Sequence, residues 1–154
     1  MRVILLILIG LSSLIYADFS RNSNGVIRDS ITHLEWQDNY SDNRGIIKKT
    51  IWQKAIDYCE ELNLDSKTDW RLPNINELSS LLEYKHSPAI NSIFQNISSD
   101  SWDYYWSSTS YSNNINNAWI VGFSDAYVNS DKKDNSNHNN YVRCVRNYNP
   151  QPNL

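Results

Sequence analysis

The sequence predicts an α+β domain: two helices packed on small antiparallel sheets, with the terminal strands paired. Three observations carry that expectation. Apolar residues recur at helical spacing between Trp52 and Leu62 and again between Ile75 and Leu82. The period changes to two from residue 104 onward, and an alternating hairpin pattern opens the domain between Val26 and Gln37. Helices in one half and strands in the other exclude the regular alternation of a parallel α/β sheet.

Ahead of that hairpin, Met1-Arg2 precede a charge-free run from Val3 to Ile15, and Tyr16-Ala17 leads into the polar Asp18-Phe19-Ser20-Arg21. One positive charge, an apolar stretch too short to span a bilayer and a small residue at its end read as a secretory signal peptide over residues 1–17. Its removal leaves 154 − 17 = 137 residues, enough for one core and too few for two. The domain is expected over residues 18–148, with 149–154 a disordered tail. No second apolar run follows, so no membrane span is expected after cleavage.

The first pair of strands is Val26-Ile27-Arg28-Asp29 and Leu34-Glu35-Trp36-Gln37. Asp38 to Lys49 reads as a polar loop, and Thr50 as the N-cap of a helix running to about Asn63. Trp52, Ala55, Ile56, Cys59 and Leu62 form one face of it, so Cys59 points inward. Pro73 biases Leu72 away from helix, and Asn74 with Glu77 three residues on forms a capping box for a second helix. Its stripe is Ile75, Leu78, Leu81 and Leu82, ending near Tyr84, and Ile90, Ile93 and Phe94 tuck under the domain. Four strands follow, 105–109, 118–123, 126–128 and 141–146, the longest connection being Asn129 to Asn140.

Composition narrows the function classes. Without Arg2 the balance is 13 basic against 17 acidic residues, a formal charge of −4, which argues against a nucleic-acid partner. Six Trp and ten Tyr argue against disorder. Cys59 and Cys144 are the only cysteines; in an exported chain such a pair predicts a disulfide rather than a zinc site, which wants four ligands at short spacings. A loop of 144 − 59 = 85 residues would be closed, worth roughly 4–5 kcal/mol as an upper figure.

Trp36-Gln37, the run Trp52 to Cys59, Asp69-Trp70-Arg71-Leu72-Pro73-Asn74-Ile75-Asn76-Glu77-Leu78, Tyr105-Trp106-Ser107-Ser108-Thr109, Asn117 to Phe123 and the closing Tyr141-Val142-Arg143-Cys144-Val145-Arg146 stand in one order over nearly the whole chain. In these pieces the sequence resembles the Lcl C-terminal domain family, bacterial domains of unknown function named after the end of a collagen-like adhesin. The resemblance implies a C-type-lectin-like fold, related to sulfatase-modifying enzymes, with a disulfide from the first helix to the last strand. Cys59 and Cys144 stand where that bridge belongs. His33 departs from the family's frequent Gly at its position, and the collagen-like stalk that would give an adhesin reach and trimerisation is missing.

No cofactor is expected. Calcium is conceivable in such a fold, but the sequence lacks the Glu-Pro-Asn and Trp-Asn-Asp stretches of a calcium lectin site. Lysines also interrupt the oxygens of Asp131 to Asn137. His33, His86 and His138 are scattered, and no nucleophile elbow or His-Glu-x-x-His helix occurs. An enzyme of the sulfatase-modifying kind would need a reactive cysteine, whereas both cysteines are expected in the disulfide. Arg71 is expected either to pair with Asp69 or Glu77 or to face solvent. Arg143 and Arg146 with Lys132 and Lys133 form either a small basic patch or an ordinary solvated face.

The candidate ligand residues are Trp102, Tyr104, Tyr111 and Tyr127, with Lys132 and Lys133 beside them, among Asn and Ser. Such aromatics stack on sugars or anchor protein contacts, while amides bond hydroxyls. The competing reading is that Trp102 and Tyr104 fill the undersides of loops. The expected role is an exported, non-catalytic binding module, periplasmic, cell-surface or secreted. Its partner would be a polysaccharide or a surface protein, met through the 100–141 loops. The alternatives are the sulfatase-modifying type of enzyme and a structural envelope component.

Overall fold

A computed structural model describes residues 19–134 and 139–149. The proposed signal segment, His138, residues 150–154 and part of the 131–137 loop lie outside the described residues. Among the described residues the strands form two sheets. The first sheet is built from β1 (Phe19–Arg21), β2 (Val26–Asp29) and β3 (Leu34–Gln37), which pair antiparallel in sequence, and from β9 (Val145–Asn147), which pairs antiparallel with β3. The second runs in the order β4 (Lys49–Thr50), β8 (Asn140–Tyr141), β5 (Tyr104–Tyr111), β6 (Asn114–Gly122), β7 (Tyr127–Lys132). The domain is α+β, as the change of period predicts, and its first and last strands share a sheet.

Two helices, α1 (Trp52–Glu61) and α2 (Ile75–Ser79), pack against the second sheet. α1 starts later than expected: Thr50 belongs to β4 and Ile51 takes the cap position without a side-chain bond. The carbonyl of Lys133 receives the Trp52 amide at 3.2 Å, and the Thr50 carbonyl accepts the Trp106 Nε1 proton at 2.8 Å. Long-range partners thus take the place of a local cap. α2 has the expected capping box, Asn74 Oδ1 accepting from the Glu77 amide and Glu77 Oε2 from the Asn74 amide, both at 2.9 Å. It ends at Ser79, well short of Tyr84. Leu81 and Leu82 bond carbonyls three residues back, and Glu83 donates to Ala89, so the chain folds onto the segment around Ile90 instead of continuing the helix.

The expected strand 141–146 is divided. Asn140–Tyr141 pairs with β4 and β5, Val145–Asn147 pairs with β3, and Val142–Cys144 crosses from one sheet to the other. Residues 129–132, read as loop from sequence, extend β7. The crossing is where the staple sits: Cys59 of α1 is bonded to Cys144, both sulfurs fully buried. The Cys144 carbonyl accepts the Gln37 amide at 2.9 Å, and Arg71 and Val145 exchange two backbone bonds at 2.9 Å each.

Two apolar clusters flank the second sheet, since alternate residues of a strand face opposite sides. Trp106, Ala118 and Ile120 join Ala55, Cys59, Trp70 and Leu72 on the α1 side. Tyr105, Val121 and Phe123 join Leu78, Leu81, Ile27 and Trp36 on the α2 side. The polar segment after β3 is less polar in place than in sequence, because Asp38 and Tyr40 are buried.

Candidate functional site

The α1-side face of the second sheet continues past the helix and carries aromatic side chains there. The register places Tyr104 of β5 opposite Gly122 of β6, and Gly122 opposite Tyr127 of β7. Gly122 matters because it has no Cβ: one would lie 3.0 Å from both Cδ1 and Cε1 of Tyr104, so the ring rests against bare backbone. Burial raises the Tyr104 hydroxyl pKa, and the nearby Asp125 and Tyr127 add to the rise, so the phenol stays a hydrogen-bond donor. Two residues earlier Trp102 is 81 % exposed, an unusual position for so large an apolar ring.

Trp102 sits on a braced turn. Asp103 donates its amide to the Asp100 carbonyl at 2.9 Å, and its carboxylate accepts from Ser98 Oγ and lies 3.6 Å from Lys49 Nζ. The Tyr105 hydroxyl accepts the Ser98 amide at 2.8 Å. Lys49 also lies over the Tyr141 ring, 4.5 Å from its centre. Across from Trp102 stands a polar wall. Asn140 Nδ2 donates to Asp131 Oδ2 at 2.9 Å, and the amides of Ser130 and Lys132 donate to Asn129 Oδ1 at 2.8 Å and Asp131 Oδ1 at 2.7 Å. Since β7 is the outermost strand, these last two bonds also occupy donors that an incoming strand would otherwise use. Trp102, Tyr104, Lys49 and this wall, with Ile120 at the base and Asn139 at the rim, enclose a cleft of about 580 Å³.

A model of the Lcl C-terminal domain family matches residues 25–146. The chain belongs to that family. No curated protein matches it. The matched span of this Lcl C-terminal domain holds both cysteines and most of the cleft wall, from Lys49 to Asn140.

Of the predicted ligand residues, the Lcl C-terminal domain brings Trp102 and Tyr104 into one cleft, places Tyr127 outside its lining on the far side of Gly122 from Tyr104, and sets the other three apart. Tyr111 lies at the far end of β5, seven residues from Tyr104 and so roughly 23 Å along the strand. There it packs edge-on against Trp119, ring centres 4.9 Å apart. Lys133 is occupied: its Nζ lies 4.1 Å from the centre of the Trp52 ring and donates to Ser110 Oγ at 2.6 Å. Lys132 borders a separate depression with Asn114, Asn116 and Asn117. Trp102 does not fill the underside of a loop; Tyr104 partly does, packing on the α1-side cluster while also lining the cleft.

Arg143 and Arg146 form neither the basic patch nor the solvated face that the sequence left open. Arg143 is fully buried, donating to the Gln37 carbonyl at 2.6 Å, to Asp38 Oδ1 at 2.9 Å and to the Asn96 carbonyl at 2.5 Å. Arg146 is held between Glu35 and Asp69, and its bonds keep the Asp69 carboxyl below the ordinary aspartate range. Arg71 forms the expected structural pair, two bonds of 2.7 Å to Glu77 with a third of 3.0 Å to Asn147. Partial burial works to raise the Glu77 carboxyl, but the Arg71 bonds and the Asn74 amide outweigh it and hold it low. Glu77 also borders a second groove of about 500 Å³ beside His33 and Tyr148, yet its carboxylate is committed to cap and arginine. His86 lies 3.1 Å from Glu83 on the surface. Among the described residues no three His, Cys, Asp or Glu side chains converge as a metal-binding group, and no described helix is long and apolar enough to cross a membrane.

Sequence reasoning found the aromatics but missed Gly122 and the polar wall of β7. An isolated glycine inside a strand pattern marks close approach of another group, and that signal was present in Ala118-Trp119-Ile120-Val121-Gly122-Phe123.

Proposed function

We propose that this Lcl C-terminal domain acts after export as a non-catalytic binding module that recognises a polysaccharide in the cleft between Trp102 and Asn140. The observation that carries the reading is Trp102, 81 % exposed on a turn that Asp103 ties to Ser98 and Lys49, beside a tyrosine seated on Gly122. An apolar ring held rigidly in water loses little entropy when a ligand stacks on it. Amides and a carboxylate within the same cleft can bond hydroxyl groups. Export is supported by the charge-free run after Arg2 and by a disulfide that an oxidising compartment would maintain. The C-type-lectin-like resemblance supports a binding role as well. With Cys59 and Cys144 bonded to each other, neither sulfur is available as a nucleophile for the sulfatase-modifying type of chemistry.

Affinity electrophoresis of the secreted chain through gels cast with soluble polysaccharides tests the proposal. Retardation that disappears in Trp102→Ala supports it. Unretarded migration in every gel, or retardation untouched by Trp102→Ala, refutes it. Trp102-dependent recovery of a surface protein without any polysaccharide binding would move the site to the protein-partner class.

A further inference from the structure

We infer that the polysaccharide is uncharged, and that Gly122 sets the depth at which the Tyr104 ring meets it. This rests on the reading of the cleft as a saccharide site and adds the chemical class of the ligand. A polyanion needs cations free to receive it. Among the described residues the one cation lining the cleft, Lys49, already faces Asp103 at 3.6 Å and lies over the Tyr141 ring. Carboxylates at Asp103, Asp125 and Asp131 outnumber it around Tyr104. Of the other described cations nearby, Arg143 is buried on Asp38, Arg146 is held by Glu35 and Asp69, Lys133 covers Trp52, and Lys132 borders a separate depression. An acidic polymer would therefore meet net repulsion.

A polycation fits little better. Asp103 is engaged by Lys49 and Ser98, and both Asp131 oxygens accept protein donors. Apart from the Asp131 carboxylate and Lys49, what the cleft offers is neutral. Asn129 has its oxygen fixed by the Ser130 amide, which leaves its NH2 as a donor. The Tyr104 phenol is a donor held protonated, and two aromatic side chains line the cleft, Trp102 81 % exposed and Tyr104 half-buried against the bare backbone of Gly122. Hydroxyl-rich rings with one apolar face match that combination.

Gly122 also supplies a clean test. No left-handed backbone angle marks it, so alanine fits the strand and only the Tyr104 ring must move, by a few tenths of an ångström. The secreted chain is assayed for binding to dextran, galactomannan and xylan, to alginate and hyaluronate, and to chitosan, each at about 50 and 500 mM salt. The expected result is binding to at least one of the first three that salt leaves unchanged. Trp102→Ala should weaken it about tenfold. Gly122→Ala should weaken it severalfold with the melting temperature unchanged or raised, and Lys132→Ala should have no effect. Binding confined to alginate, hyaluronate or chitosan, lost at high salt, overturns the neutral class and leaves the saccharide reading intact. Failure on all six polymers removes that reading and this inference with it. Undiminished binding by a folded Gly122→Ala overturns the role given to the glycine.

Discussion

Replacing Arg143 by methionine removes a guanidinium that is fully buried and makes three bonds, two to carbonyls and one to Asp38. Its planar face lies 4.8 Å from the centre of the Phe94 ring, so the side chain packs as well as bonds. Methionine keeps most of that volume but leaves the buried Asp38 with Arg21 and the Gln95 and Asn96 amides as partners. Breaking one side of a buried pair costs about 3–5 kcal/mol, and the remaining partners of Asp38 put the expectation near the lower end, about 3 kcal/mol. With a urea slope of about 1.5 kcal/mol per molar, the unfolding midpoint should fall by roughly 2 M. Equilibrium urea denaturation followed by tryptophan fluorescence reads this directly. The Asp38→Asn/Arg143→Met double variant should lose less than the sum of the single losses, because both substitutions remove the same Asp38–Arg143 interaction, while Arg21 loses its carboxylate in either background. A loss below about 1 kcal/mol in Arg143→Met would refute the reasoning, since that is what a surface arginine would give.

Three further outcomes follow from the same packing. Cys59→Ala/Cys144→Ala frees an 85-residue loop and should cost up to about 4–5 kcal/mol, seen as a melting temperature lowered by roughly 15 °C in a scanning experiment. Glu77→Gln should lower stability at neutral pH by loosening both the capping box and the Arg71 pair. Because the folded Glu77 carboxyl titrates below its ordinary value, that contribution is complete above the unfolded glutamate pKa of about 4.3 and is lost as pH falls through the lower folded value. Denaturation curves of the two proteins should therefore converge only in acid, and a difference that grows on acidification would contradict the pairing. His33 has φ +56°, so His33→Gly should raise stability by about 0.5–1 kcal/mol in denaturant titration, less whatever its edge contact with Tyr148 supplies.

Much of the scaffold was legible where the signal is local. The alternation of Val26–Asp29 against Leu34–Gln37 gave the hairpin, and Asn74 with Glu77 gave the second helix start to the residue. Cys59 faced inward from helical spacing alone, and the bridge to Cys144 followed from having two cysteines and an export signal. What could not be read depends on distant partners. Residues 141–146 form one extended run by period, yet its two ends belong to different sheets, because period records faces and not neighbours. Arg143 looked like surface charge because its partner Asp38 lies 105 residues away. The candidate site was half legible. Exposed Trp102 and Tyr104 stood out among Asn and Ser, but Tyr111, Lys132 and Lys133 were grouped with them by closeness in sequence, and the length of β5 and β6 separates them. Gly122 could have been found, since only a glycine lets a ring lie on a strand at that distance.

We propose that the disulfide-stapled α+β domain holds Trp102, Tyr104 and the β7 wall ready for an uncharged saccharide. Titration of the 15N-labelled, oxidised domain with oligosaccharides cut from whichever neutral polymer retards it in gels addresses this most directly. Saturable shifts are expected for the Trp102 indole, the Tyr104 and Gly122 amides and the Asn129 and Asn140 side chains, with the Tyr111 hairpin and the His33 groove unmoved. Shifts centred on Tyr111, Lys132 or His33, with the Trp102 indole unchanged, would contradict it.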